Sequence, residues 1–384
     1  MGLFLWKWIP GWPKTNLNSA RPMNPPEVWK SSRENMAGCI ADSAGADRMT
    51  DLTQHTVILL VGGSSGERDV SLQSGAALQQ ALEGLQGESR IRGLQRIEWL
   101  QDGRWKDDRT IAPPVAFLSN LPPNSVFLLG LHGGPGEDGS LQGLLSSLNL
   151  PYSGSGVQAS ALCMDKHQSR LLFSDEGLAV APGGLITSRT VGPEQAKACR
   201  KDGGGPWFVK PRRGGSSLAT TCVTNWQDLG PALEAVRAAG DEALVEAAID
   251  GVEVTVGLLD QDGDLPRALP LVEVRPHPGH FFDFEEKYTS GGAQEFCPPQ
   301  DLEPARCAEV SVLAQRAFRL AGCAGYARMD FIVPPKGPPV CLEINTLPGF
   351  TQRSLLPLAA RAAGIGFQDL VELILERALK NRTP

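Results

Sequence analysis

The sequence predicts an α/β N-terminal domain built on a parallel sheet, followed by two α+β subdomains. Three observations predict it. T-V-I-L-L-V (56–61) and V-F-L-L-G-L (126–131) are short apolar runs of the kind that make strands buried on both faces. Each runs into a Gly-rich turn and then a stretch of helical period, and strand–helix alternation implies a parallel sheet. Beyond about residue 180, short strands and helices follow one another without that alternation.

Taken in order, residues 1–54 stand apart. Four of the eight tryptophans and the prolines 10, 13, 22, 25 and 26 fall within the first 29 residues, with no sustained period. The segment reads as a disordered extension, with a docking arm as the alternative. The strand at 56–61 leads into a helix from Val70 to Leu85, whose apolar residues (Val70, Ala77, Ala81, Leu85) recur at helical spacing. After the strand at 126–131, Leu141, Leu144, Leu145 and Leu148 follow i, i+3, i+4, i+7, and Pro151 closes that helix. A helix over 160–176 ends at Gly177. Short strands are expected around Val180 and Phe208, a helix near 228–239, and strands at 243–247 and 252–259. A long loop covers about 275–297, and a helix follows near 303–321. Strands at 325–333 and 339–344 flank the turn P-P-K-G-P-P, and helices close the chain. The 384 residues then divide into an extension (1–54), an α/β domain (55–152), a central subdomain (153–245) and a C-terminal subdomain (246–384).

Composition removes several classes. A net charge of −7 lacks the basic field that nucleic-acid binding needs. No apolar run approaches the roughly 18 residues that span a bilayer. Eight cysteines without a CxxC pair read as free thiols of a reducing, cytoplasmic compartment. His277 and His280 sit among prolines and read as a loop feature.

The chemistry-bearing pattern begins with R-M-D-F-I-V and V-C-L-E-I-N. In a strand, residues i and i+2 share a face. Asp330 therefore faces with Arg328, and Glu343 with Asn345. If the two strands pair across their turn, Asp330, Glu343 and Asn345 meet, while Met329, Phe331, Leu342 and Ile344 pack behind. Three oxygen ligands without His or Cys suit Mg²⁺. Taken alone, the pattern equally fits an ordinary half-buried sheet with a solvated face. W-F-V-K-P-R-R-G-G-S-S-L delivers Lys210 at a strand end, followed by a loop whose amides could cradle phosphate. G-G-S-S-G is not the GxGxxG of a dinucleotide site. Lys166 in M-D-K-H-Q-S-R reads, on its own, as a solvated helix lysine.

Seven segments appear in order: G-G-S-S-G-E-R-D-V-S (62–71), L-H-G-G-P-G-E-D-G-S-L-Q-G (131–143), Y-S-G-S-G-V-Q-A-S-A-L-C-M-D-K (152–166), F-V-K-P (208–211), E-K-Y (286–288), A-R-M-D-F (327–331) and E-I-N-T-L-P-G-F-T (343–351). Together they resemble the D-alanine–D-alanine ligases of the ATP-grasp superfamily, from about Val57 to about Glu376. The resemblance implies a pre-ATP-grasp domain followed by a two-subdomain ATP-grasp fold, a homodimer, and ATP, D-alanine and Mg²⁺ or Mn²⁺ (two ions) as ligands. By it, Lys166, Lys210, Ser217 and Lys287 bind nucleotide phosphates, and Glu246 and Glu253 sit at the adenine and ribose. Asp330, Glu343 and Asn345 hold the metal. Glu67 takes the ammonium of the first D-alanine, with His132 nearby. Arg328 and the Gly349 amide form an oxyanion site. Ser354 and Leu355 position the second D-alanine, and Glu67, Ser216 and Tyr288 form a cluster linking the domains. The 212–219 and 275–297 loops are the expected lid. The chain departs from the family pattern at Gly214, Ala219, Ala247 and Ala248, which implies weaker or altered ATP binding, and also at Phe282, Phe284 and Leu347. Retention of Tyr288 favours D-alanine over D-lactate as second substrate, with D-serine as a further alternative.

Overall fold

The structure is a computed structural model, and it describes residues 51–186, 205–215, 219–263, 265–276 and 293–380. The described fold includes residues that the sequence assigned to the extension. Leu52–Gln54 form a 3-10 turn capped by Asp51, and Leu52 is buried in the core. Four residues assigned to the extension are therefore part of the fold, because Leu52 gains more from burial than a free tail would.

Strand β1 (Thr56–Gly62) is buried along its whole length and lies between β2 (Gly93–Trp99) and β5 (Ser125–Leu131), parallel to both. Helix α1 (Arg68–Gly87) packs Leu78, Leu82 and Leu85 on this sheet. Two short strands, β3 (Trp105–Lys106) and β4 (Ile111–Ala112), extend the sheet antiparallel, so it is mixed rather than purely parallel. Two or three paired residues carry too little period to show in a sequence. Helix α2 (Pro114–Leu118) precedes β5, and α3 (Ser140–Ser147) follows it.

The helix expected over 160–176 is two helices, α4 (Val157–Met164) and α5 (Lys166–Asp175). Asp165 breaks them. Its backbone is extended (φ −88°, ψ 92°), and its carboxylate accepts from the amides of His167 and Gln168. That satisfies two of the unpaired donors at a helix start. The Arg212 Nε and Nη2 also reach Asp165, at 2.9 and 2.6 Å. Burial pushes the Asp165 carboxyl up, but the guanidinium and the helix amides outweigh it and hold the group below its ordinary value. A lowered carboxylate stabilises above its unfolded pKa and loses that contribution as pH falls. Asp165→Ala should cost about 2 kcal/mol in urea unfolding at neutral pH, and the difference from the parent should shrink in acid. An unchanged midpoint at pH 7 would remove Asp165 from the account of this helix start.

Beyond α5, β6 (Ala179–Val180) pairs in parallel with the late strand at Val340–Asn345. Cys163, Phe173 and Leu178 enter the apolar core of the C-terminal sheet. The stretch 153–180, expected in the central subdomain, thus packs with the C-terminal one because its apolar side chains complete that core. The central sheet is β7 (Gly183–Ile186), β8 (Trp207–Pro211), β9 (Thr221–Val223) and β10 (Ala243–Ala247), in the order β7-β10-β8-β9 and antiparallel throughout. Helix α6 (Leu229–Ala238) covers it, burying Leu233 and Val236 on Trp207, Val209 and Val245.

The C-terminal sheet holds β11 (Val252–Leu259), β12 (Arg267–Ala268), β13 (Val272–Arg275), β14 (Gln294–Phe296), β15 (Tyr326–Val333) and β16 (Val340–Asn345). Its order is β14-β13-β11-β15-β16-β6, with β12 beside β11. Helix α7 (Pro304–Leu320) packs on one face. Strands β13 and β14 bound the segment expected as a long loop, of which residues 277–292 lie outside the described part. Helices α8 (Leu355–Ala362) and α9 (Phe367–Lys380) return to the first sheet and share its core. The N-terminal domain and the chain end are thereby joined through apolar burial, reinforced by the Arg90–Glu372 ion pair. Among the described residues, no helix is long and apolar enough to cross a membrane.

Candidate active site

A cavity of about 490 Å³ opens between the central and C-terminal sheets. Its floor is the β15–β16 pair. Their register sets Arg328 opposite Asn345 and Asp330 opposite Glu343, so the polar residues of both strands meet on one face. Asp330 is densely held. Arg328 donates to it from Nε at 2.9 Å and Nη2 at 2.8 Å, Thr255 Oγ1 at 2.6 Å, and Asn345 Nδ2 at 3.1 Å. The apolar face differs from expectation at one position. The register shifts between Asp330 and Phe331, which pairs Phe331 with Cys341 and leaves Leu342 as the extra residue. This bulge turns Leu342 out of the core into the cavity, and Cys341 takes the buried place.

Among the described residues, no group of three or more His, Cys, Asp or Glu is set to hold a metal ion. The floor instead offers two carboxylates and a side-chain amide. Asn345 spends its Nδ2 on Asp330, which leaves its oxygen as an acceptor. An all-oxygen set of this size fits Mg²⁺, which completes its shell with water and phosphate.

The cationic wall comes from α5 and β8. Lys166 is the first residue of α5, because Asp165 ends the previous helix. Its Nζ donates to the Gly214 carbonyl and lies 3.4 Å from Glu343 Oε2. Lys210 Nζ lies 2.5 Å from Glu246 Oε2. Burial lowers the Lys210 pKa, but the Glu246 and Glu343 carboxylates outweigh it, so the ammonium stays charged. Arg170 Nε sits 2.9 Å from the other Glu246 oxygen, as an ion pair without hydrogen-bond alignment. Arg170 was not anticipated. Its signal was the i, i+4 spacing from Lys166 on one helix face. Glu246, expected at the adenine, is buried with its carboxylate committed to these two cations. Glu253 lines the cavity from β11. Ala219, where a glycine was expected, takes φ +54°, a left-handed conformation costing a non-glycine residue about 1 kcal/mol.

At the other end, the buried Glu67 carboxylate lies against two glycines from different sheets. A Cβ on Gly133 would stand 2.4 Å from Glu67 Oε2, and one on Gly215 2.7 Å. His132 is buried beside it. Its Nδ1 donates to the Leu347 carbonyl at 2.8 Å, so its Nε2, 3.0 Å from Ser74 Oγ, accepts. Burial holds this imidazole below its ordinary pKa, and it is neutral. Glu137, absent from the sequence reading, accepts from the amides of Gly133 and Leu347. Burial, and then the Glu67 charge, push its carboxyl up to about 7. Ser354 precedes α8 and turns its hydroxyl onto Thr351, accepting from the amide at 3.0 Å. Leu355 is buried at the cavity edge, and Gly349 sits against Ser354 Oγ. Ser216, Ser217, Lys287, Tyr288, Phe282, Phe284, His277 and His280 lie outside the described residues, as do parts of both expected lid loops.

Residues 56–155 match the family model of the D-ala D-ala ligase N-terminus, and residues 172–376 that of the D-ala D-ala ligase C-terminus. The chain belongs to the D-alanine–D-alanine ligase family. Within it, the chain is 39% identical over 330 residues to the D-alanine–D-alanine ligase of Pelotomaculum thermopropionicum, covering 84% of this chain and 96% of that one. It is 40% identical to the Gloeobacter violaceus ligase, covering 84% and 99%. Among solved structures, the D-alanine–D-alanine ligase of Coxiella burnetii superposes with a TM-score of 0.71 at 27% identity, covering 86% of this chain and 95% of that one. The Bacillus anthracis ligase, complexed with ATP, gives 0.69 at 29% identity, covering 86% and 98%.

Proposed function

We propose that this protein is an ATP-dependent ligase that joins two D-alanine molecules into D-alanyl-D-alanine for peptidoglycan synthesis, acting in the cytoplasm as a homodimer. The observation that carries the reading is the meeting of Arg328, Asp330, Glu343 and Asn345 below Lys166 and Lys210, in a chain of this family.

A carboxylate is a poor electrophile, so the first D-alanine must become an acyl phosphate. Glu67 takes its ammonium and turns its carboxylate toward the γ-phosphate of ATP. Phosphoryl transfer asks for positioned charge rather than covalent help. Lys166, Lys210, Ser217 and Lys287 hold the phosphates, and Glu246 keeps Lys210 in place. Asp330, Glu343 and Asn345 would hold Mg²⁺, which supplies charge neutralisation on the phosphate oxygens when bound. The amine of the second D-alanine, positioned by Ser354 and Leu355, attacks the acyl carbonyl; as the C–N bond forms, the C–O bond to phosphate breaks, and inorganic phosphate and the amine's proton leave. The tetrahedral oxyanion meets Arg328 and the Gly349 amide, which are set before charge develops. An acyl phosphate hydrolyses in water, so the Glu67–Ser216–Tyr288 cluster and the two lid loops close the site.

Phosphate release with ATP, Mg²⁺ and D-alanine tests the reading, with L-alanine, D-serine and D-lactate supplied in turn beside D-alanine. Release that rises with D-alanine and yields the dipeptide is expected. Dependence on D-serine or D-lactate for product would move the chain to another second substrate. No D-alanine-dependent turnover by a folded, ATP-binding preparation would overturn the proposal.

A further inference from the structure

The backbone of Leu347 is held on both sides by the N-terminal domain. Its amide donates to Glu137 Oε1 at 3.1 Å, and its carbonyl accepts from His132 Nδ1 at 2.8 Å. Three residues on, the Phe350 amide donates to Ser74 Oγ at 3.2 Å, and the same hydroxyl faces His132 Nε2. The other Glu137 oxygen accepts from the Gly133 amide at 2.9 Å, beside the Glu67 carboxylate. These partners are buried, and they come from α1 and from the loops after β5 and after β16.

A carboxylate in such a place is costly unless its lone pairs are used. Here both oxygens are used, each on a different loop. One loop carries Gly133, which touches Glu67. The other carries Gly349, two residues past Leu347. Neither Glu137 nor Ser74 lines the cavity, and His132 spends both ring nitrogens on the latch. The arrangement suits registration of two loops, with both Glu137 oxygens taken up by backbone amides.

We propose that Glu137 is a positioning residue that, with His132 and Ser74, fixes the 346–350 loop against the first-substrate loop and so sets the distance between Glu67 and the Gly349 amide. The inference rests on the proposed ligase reading, because only there do the two loops serve one reaction. A misplacement of about 1 Å in such a site can cost 10²-fold in rate.

Glu137→Gln keeps one acceptor but turns an NH₂ toward a backbone N–H. In the full-length protein it should lower kcat by about 30-fold or more while KM for ATP stays within about twofold. Glu137→Asp, which keeps both oxygens, should recover part of that loss. Ser74→Ala loosens the Phe350 end and should lower kcat by about tenfold; it carries the test if Glu137→Gln does not fold. Hydrogen exchange gives a readout independent of turnover. Amides of 346–350 should exchange faster in either variant, with those of β1 and β5 unchanged. Unchanged exchange at 346–350 overturns the proposal. So does faster exchange with kcat within about twofold of the parent, or an equal loss of kcat and ATP affinity, which marks general loosening. If the parent itself shows no D-alanine turnover, the ligase reading fails, and the exchange measurement still decides whether Glu137 holds the loop.

Discussion

Glu343→Ala should leave a folded protein that has lost at least about 10³-fold of its D-alanine-dependent turnover, a loss of about 4 kcal/mol of transition-state stabilisation. The size follows from what Glu343 touches. It stands opposite Asp330 in the strand register and 3.4 Å from Lys166, and its charge helps keep Lys210 protonated. Its removal takes one of two carboxylates from the proposed metal floor and one counter-charge from the proposed phosphate wall. The fold should survive, because Cys341 and Ile344 carry the apolar contacts of β16 on the opposite face. The urea midpoint should stay near the parent's, within about 1 kcal/mol. Turnover within tenfold of the parent at saturating Mg²⁺ would show that the metal floor lies elsewhere.

Arg328→Ala should lower kcat by about 10² to 10³, the usual effect of deleting one donor to a developing oxyanion. A second consequence separates this from simple damage. Arg328 holds both oxygens of Asp330, so its guanidinium competes with a cation for that carboxylate. Without it, half-saturation by Mg²⁺ should move to lower concentration even as kcat falls. Arg328→Lys should not restore the rate, because an ammonium cannot reproduce the two-point fork. A Mg²⁺ titration of phosphate release by both variants checks this. Weaker Mg²⁺ dependence together with near-parental kcat would assign Arg328 to the metal and not to the oxyanion.

Much of the floor was legible in the sequence. Arg328, Asp330, Glu343 and Asn345 alternate with apolar residues across a short turn, and period-two alternation states which side chains share a face. The bulge was not legible. A one-residue slip leaves composition untouched, yet it exchanged Leu342 for Cys341 in the core. Asp165 was read as helix interior, since apolar spacing runs on through it. Only its extended backbone, with Arg212 arriving from β8, reveals the cap that brings Lys166 to a helix start. Strands β3, β4, β7, β9, β12, β13 and β14 were missed because two to four residues cannot display a period, and β2 was missed because its apolar Leu94, Ile97 and Trp99 do not alternate strictly with polar residues.

The ordered motifs pointed to the family, the succession of an α/β domain and a two-sheet clasp, and the residue types proposed for phosphate and metal. Those are local properties, written in the spacing of neighbours along one strand or one helix. Tertiary structure alone decided the partners. Glu137 and Leu347 stand 210 residues apart, and Lys210 and Glu246 meet only because β8 and β10 pair. It also assigned α4 and α5 to the C-terminal core and turned Glu246 toward two cations. The physical reason is that burial and charge pairing depend on distance through space, and no periodicity along the chain encodes which distant segment will supply the missing donor.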